Sequence, residues 1–194
     1  MAARQFSTTT DEPQEVDGED FDIADLPAGE SPDFDYENPR WHGVLAPEGL
    51  PSGDGRSFAL DSITTRELPI PLRWVRADLG QHDGAVVVGN ITDLWRDGNL
   101  IKGEGDFRTD SAEANEVVGM IATDMLRGVS VDLDDIAFEV DDQVNEMGEQ
   151  PVTLTKGRMS AATLVDIPAF AEVFISLGPW PEGEISEQAA VIAS

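Results

Sequence analysis

Between residues 41 and 177 apolar and polar positions alternate mostly with a period of two, and only one stretch carries the longer period of a helix. Residues 41–47 (WHGVLAP) read as a first strand, and the PSGDGR that follows reads as a turn from its Gly and Asp content. Residues 68–75 alternate Leu, Ile and Leu against Pro and Arg. Pro69 and Pro71 cannot donate to a central ladder, so this segment is expected at a sheet edge. Residues 85–95, the dipeptide Asp97-Gly98 and residues 100–107 make the strongest hairpin signal, because Asp-Gly supplies the positive φ angles of a tight turn.

The helical stretch begins at Asp110, a capping residue with Glu113 three positions later. Val117, Val118, Ile121 and Met125 fall on one face, and Gly128 after Leu126 and Arg127 is the expected stop. The chain then enters a strand in which Val129, Val131 and Leu133 share one face and Ser130, Asp132 and Asp134 the other, so Ser130 should face away from the core. Residues 152–166 and 172–177 complete the pattern. The fold class expected is α+β and β-rich, with one principal helix ahead of the serine strand.

Composition divides the chain into three parts. Residues 1–38 hold twelve acidic residues and one base (Arg4), a net charge of −11, with little apolar periodicity; this acidic segment is expected to be a disordered tail. Residues 39–178 form the expected domain. Residues 179–194 start with two prolines and an acidic stretch and are expected to be a flexible C-terminal tail. No apolar run approaches the roughly 18–20 residues of a membrane span, and the start MAARQFSTTTDEPQ has no apolar core of the kind a secretory signal carries. The absence of cysteine removes thiolate chemistry and disulfides, and with only His42 and His82 a histidine-rich metal site is disfavoured. A net charge of −27 opposes binding to a phosphate backbone, so nucleic acid is a poor partner.

Two residues carry the candidate chemistry. His82, in QHDGAVVVG, is the side chain suited to accept a proton near neutral pH, and Ser130, in LRGVSVDL, is a hydroxyl that such a base would activate. Their separation in sequence says nothing about geometry, but their context does. The blocks WHGVLAPEGLPSGDGRSFAL, RELPIPLRW, GQHDGAVVVGNITDLWRDGNLIKGEGDF, MLRGVSVDL and SAATLVDIPAFAEVFI occur in that order from Trp41 to Leu177. So ordered, they resemble the prohead (capsid maturation) proteases of tailed phages. The resemblance implies a serine endopeptidase with His82 and Ser130 as its catalytic pair. It also implies kinship with the herpesvirus assemblins, and hence a mostly antiparallel β-barrel or sheet. The implied partners are the major capsid protein and a scaffold, with self-cleavage or self-association. The implied place is the procapsid interior in the host cytoplasm. No cofactor and no metal are needed.

The third member of a triad would fix the imidazole tautomer. Asp166 is preferred because it lies in the apolar block TLVDIPAF, where an unpaired charge would be costly; Asp132, Asp83 and Glu104 are the alternatives. Many relatives carry a Glu a few residues upstream of this block, where this chain has Ala161 and Ala162. His42 is expected to be structural, and Arg127 and Arg158 to be solvated strand-end residues. The oxyanion hole is expected to use backbone amides near Ser130. The competing reading is a non-catalytic capsid assembly or scaffolding protein that retains the protease fold.

Overall fold

The computed structural model describes residues 35, 37–53, 55–75, 84–142, 144 and 150–192. The acidic segment expected to be disordered falls almost wholly outside these residues, and so do His82 and Asp83.

The chain is β-rich with one helix. Its strands are β1 (Arg40–Pro47), β2 (Arg56–Phe58), β3 (Ile63–Thr65), β4 (Ile70–Val75), β5 (Ala85–Ile91), β6 (Asp93–Asp97), β7 (Leu100–Asp106), β8 (Gly128–Val140), β9 (Val152–Val165), β10 (Phe174–Leu177) and β11 (Ala190–Val191), and the helix α1 (Ala112–Ala122) lies between β7 and β8. Among the described residues these form two open sheets. The first has the order β10-β1-β7-β6-β11 and is antiparallel throughout. The second is organised on β9: β8 runs antiparallel along one side, while β2, β3 and β4 step along the other in parallel, and β5 lies outside β4.

Alternation explains why the sheets bury a common core. In β4, Ile70, Leu72 and Trp74 point inward while their neighbours are half-buried. Trp41, Leu45 and Ile101 meet them from the first sheet and Ile91 from β5, and Val117, Val118 and Ile121 close the core from α1, which packs on β5 and β10. No helix among the described residues is long and apolar enough to cross a membrane.

Several expectations are corrected. The segment bearing Pro69 and Pro71 is not an edge: β4 lies between β9 and β5. It tolerates the prolines because Pro69 precedes the strand and pairing with β9 begins only at Leu72. The expected single strand 85–95 is two strands, β5 in the second sheet and β6 in the first. The chain changes sheets at Thr92, whose N–H donates to the Glu104 carbonyl at 3.0 Å. The β6–β7 hairpin forms as expected, but Asp97 pairs with Leu100, so the two turn residues are Gly98, at φ +63°, and Asn99.

The helix starts one residue later than expected. Arg108 holds the Asp110 carboxylate at 2.9 and 3.1 Å, and Ser111 caps instead, its hydroxyl accepting from the Ala114 N–H. The helix also ends earlier, at Ala122. The Thr123 hydroxyl donates to the Gly119 carbonyl, Asp124 takes a left-handed φ of +59°, and Met125 is left exposed rather than on the buried face. Gly128 therefore opens β8, where a Cβ would meet the Val165 carbonyl oxygen at 2.6 Å.

Residues 179–192 do not trail from the domain. Trp180 packs at a tilt against His42 at 4.8 Å and edge-on to Trp95 at 5.8 Å, β11 pairs with β6, and Ile192 is buried in the core. Asp97 fastens the segment by accepting from Lys102 at 2.8 Å and from the Ser186 hydroxyl at 2.5 Å; Lys102 in turn donates to the Glu184 carbonyl and sits 4.9 Å from the Trp180 ring centre. The hydrogen bond from Lys102, helped by Ser186, draws the Asp97 carboxyl down from 3.8 to about 2. A carboxyl lowered by folding stabilises the fold in full above its unfolded value and loses that contribution as pH falls toward its folded value. Asp97→Asn is therefore expected to loosen this segment and speed its cleavage by a glutamyl endopeptidase after the surface residues Glu182, Glu184 and Glu187 at neutral pH. In denaturation experiments its stability deficit against the native chain should shrink between pH 4 and pH 2; a constant deficit would contradict the assignment.

Candidate active site

Ser130 is on the third residue of β8, directly opposite Thr163 of β9. Its neighbour Val129 is 2% exposed and packs in the core, whereas Ser130 is exposed, as alternation requires. Among the described residues no group hydrogen-bonds the Ser130 hydroxyl. The registers of β8, β9, β4 and β5 place Ser130, Thr163, Arg73 and Val87 in one row across the second sheet. Asp132 lies on the same face one step along β8, and its carboxylate accepts from the buried Thr163 hydroxyl at 2.7 Å.

The row fixes which end of the sheet matters. β4 and β9 are parallel, β8 and β5 antiparallel to their neighbours, so the last described residue of β4 (Val75), the start of β5 (Ala85), the end of β9 (Val165) and the start of β8 (Gly128) share one end. β8 and β5 lie three strand spacings apart, about 14 Å. His82 belongs to the segment between Val75 and Ala85 but lies outside the described residues.

Asp166 follows the last residue of β9 and is exposed, its carboxylate accepting from the N–H of Ile167 at 2.9 Å. The burial argument that singled it out is therefore corrected. The apolar residues of TLVDIPAF end with the strand, and the carboxylate emerges into solvent at the bend that follows. Asp166 does lie at the end of the sheet where Ser130 is displayed, since its neighbour Val165 pairs with Gly128. Glu104 is in the first sheet, paired with Arg40 at 3.1 Å. Asp83 lies outside the described residues.

His42 is structural in its contacts. It is buried on β1, its Nδ1–H donates to the Gly178 carbonyl at 2.8 Å, and its ring packs on Trp180 and edge-on to Phe174. Arg127 and Arg158 are exposed and held in ion pairs, Arg127 with Asp124 at 2.6 Å and Arg158 with Asp134 at 2.8 Å. The Arg158 hydrogen bond, with a second from Arg66, keeps the Asp134 carboxyl below its ordinary value.

One feature of the site has no counterpart in the sequence reading. A cavity of about 280 Å³ opens beside Ser130 on the valine side of β8. Its walls come from Val131, Leu133 and Phe138 of β8, Leu154 of β9, Phe58 of β2 and Phe170 of the loop after β9. Ile136 and Phe138 fall out of the period of two set by Val129, Val131 and Leu133, because the register of β8 against β9 shifts between Asp134 and Ala137, so alternation alone did not assign them to this wall. Among the described residues no group of three or more His, Cys, Asp or Glu is arranged to hold a metal ion. Comparison with family models and with curated proteins finds no match to this chain.

Proposed function

We propose that the chain is a serine endopeptidase of the prohead protease type, related to the assemblins, that trims the scaffold or the N-terminal scaffolding segment of the major capsid protein, and itself, inside the procapsid. The observation that supports it is Ser130: an exposed hydroxyl without a partner among the described residues, facing away from the core beside an apolar cavity, within the sequence block where the phage proteases carry their nucleophile. In this reading the Ser130 oxygen attacks the peptide carbonyl while His82 takes the hydroxyl proton. His82 then passes that proton to the leaving amine, and the C–N bond breaks to leave an acyl-serine. Water, deprotonated by His82, attacks the ester; the acid product departs and the proton returns to Ser130. Backbone amides near Ser130 carry the oxyanion.

Asp166 is the proposed partner of the His82 imidazole. Asp132 is a second reading, favoured by its hydrogen bond to Thr163 on the face of Ser130. An isosteric amide removes charge and preserves shape, so the two are separable. Asp166→Asn is expected to lower kcat by about 10²-fold or more, toward the roughly 10⁴-fold known for such a change in a triad, while Asp132→Asn changes it less. The reverse order would move the role to Asp132.

The proposal as a whole is tested by co-expression with the major capsid protein. Native enzyme should shorten the capsid protein at its N-terminal segment. A chain that sediments with procapsids and leaves the capsid protein at full length would be an assembly protein instead.

A further inference from the structure

β8 pairs only with β9 among the described residues, so its outer edge presents a row of backbone groups that no strand covers. Such an edge accepts an extended peptide as an added strand, whose side chains then alternate between the two faces. A peptide bond laid past Ser130 would send its neighbouring side chain to the valine face, where the cavity opens. From this juxtaposition we infer that the cavity is a specificity pocket that receives one large apolar side chain of an extended peptide bound along the β8 edge. The inference rests on the endopeptidase reading and names its substrate class.

The chemistry of the walls selects the occupant. Among the described residues no Asp or Glu lines the cavity, so a basic side chain would find no counter-charge from them. Arg56 is the one charged residue among the described lining residues, and it already has an interaction partner. The Phe58 and Phe170 rings pack 5.4 Å apart and fix one wall. Phe138 is 59% exposed and Ile136 56% exposed, large apolar surfaces that an incoming side chain would cover. A volume of about 280 Å³ is at the low end of small-molecule pockets and suits one or two side chains.

The test uses the full chain carrying Ser130→Ala, so that ligands survive, and acetylated, amidated peptides of one Gly-Ser frame with a single central Leu, Phe, Ala, Lys or Asp. Burial of one large apolar side chain is expected to make the Leu and Phe peptides bind roughly tenfold or more tighter than the others by calorimetry. Ala169→Trp, added at an exposed lining position, should reduce that preference to about twofold or less. Phe138→Asp, at a position too exposed to matter for folding, should do the same. Equal binding of all peptides, tighter binding of the Asp or Lys peptide, or a Leu preference untouched by both variants overturns the pocket. The cleavage reading is scored separately on the native chain. Apolar preference without hydrolysis of any peptide or of the capsid protein would sink the endopeptidase and keep the pocket, and hydrolysis indifferent to the central residue would do the opposite.

Discussion

Ser130→Ala is expected to reduce capsid-protein cleavage by about 10³-fold or more while leaving the unfolding midpoint of the chain in place. The two halves of that result have separate causes. Removing the hydroxyl removes the only atom proposed to attack the carbonyl, and what remains is the residual rate from binding and oxyanion stabilisation. The fold loses almost nothing: Ser130 is exposed, points away from Val129 and the core, and has no hydrogen-bond partner among the described residues, so the stability change should stay within about 0.5 kcal/mol. Cleavage rates and urea denaturation of the same preparation check both halves. Undiminished cleavage by Ser130→Ala would remove Ser130 as the nucleophile, and lost cleavage with a lowered midpoint would make it a structural residue.

The largest stability effect is expected far from that serine, at Glu48. Its side chain is 0% exposed and accepts four hydrogen bonds: from the N–H groups of Asp61 and Ile63, both at 3.0 Å, and from Arg96 Nε at 2.8 Å and Nη2 at 3.0 Å. Glu48 follows β1, Ile63 opens β3 and Arg96 is on β6, so one carboxylate ties the first sheet to the second. The hydrogen bonds that Arg96 donates to Glu48 also hold its guanidinium above its ordinary pKa. Glu48→Ala leaves the Asp61 and Ile63 N–H groups without their acceptor and strips the half-buried Arg96 of its paired carboxylate, leaving it the Ile63 carbonyl at 3.0 Å and the exposed Asp61 carboxylate at 3.4 Å; the cost is about 3–5 kcal/mol. That is a large share of the roughly 5–15 kcal/mol that holds a domain together. Replacing both charges by apolar residues, as in Glu48→Leu with Arg96→Met, removes the cation together with its carboxylate and should recover much of the loss. A single-variant cost below about 1 kcal/mol would show that the pair is dispensable.

Glu48 also marks where sequence reasoning stopped. A glutamate between Pro47 and Gly49 reads as surface, and only the meeting of three distant segments makes it a buried anchor. Elements whose signal is local were legible: the short apolar run of β1, the Asp-Gly hairpin, the apolar face of α1 and the outward direction of Ser130. β2 and β3, three residues each, are too short to show a period, and they exist because β9 offers them a ladder. The central position of β4 was hidden because the two prolines argued for an edge, while the partner that spares them starts one residue later. The docking of residues 179–192 depends on Asp97 and Lys102, which lie some eighty residues upstream, so local composition made them look loose. At the site, alternation was enough for Ser130. The burial assigned to Asp166 was not legible, because an apolar block does not say where its strand stops.

The central claim is that Ser130 is a nucleophile activated by His82, and the most direct measurement is covalent labelling of the folded, full-length chain by a fluorophosphonate, followed by mass spectrometry of the peptides. The account predicts one adduct, on Ser130, formed by the native chain and lost when His82→Ala removes the base. Absence of an adduct, an adduct on another serine such as Ser52 or Ser160, or labelling of Ser130 that is indifferent to His82→Ala would contradict it.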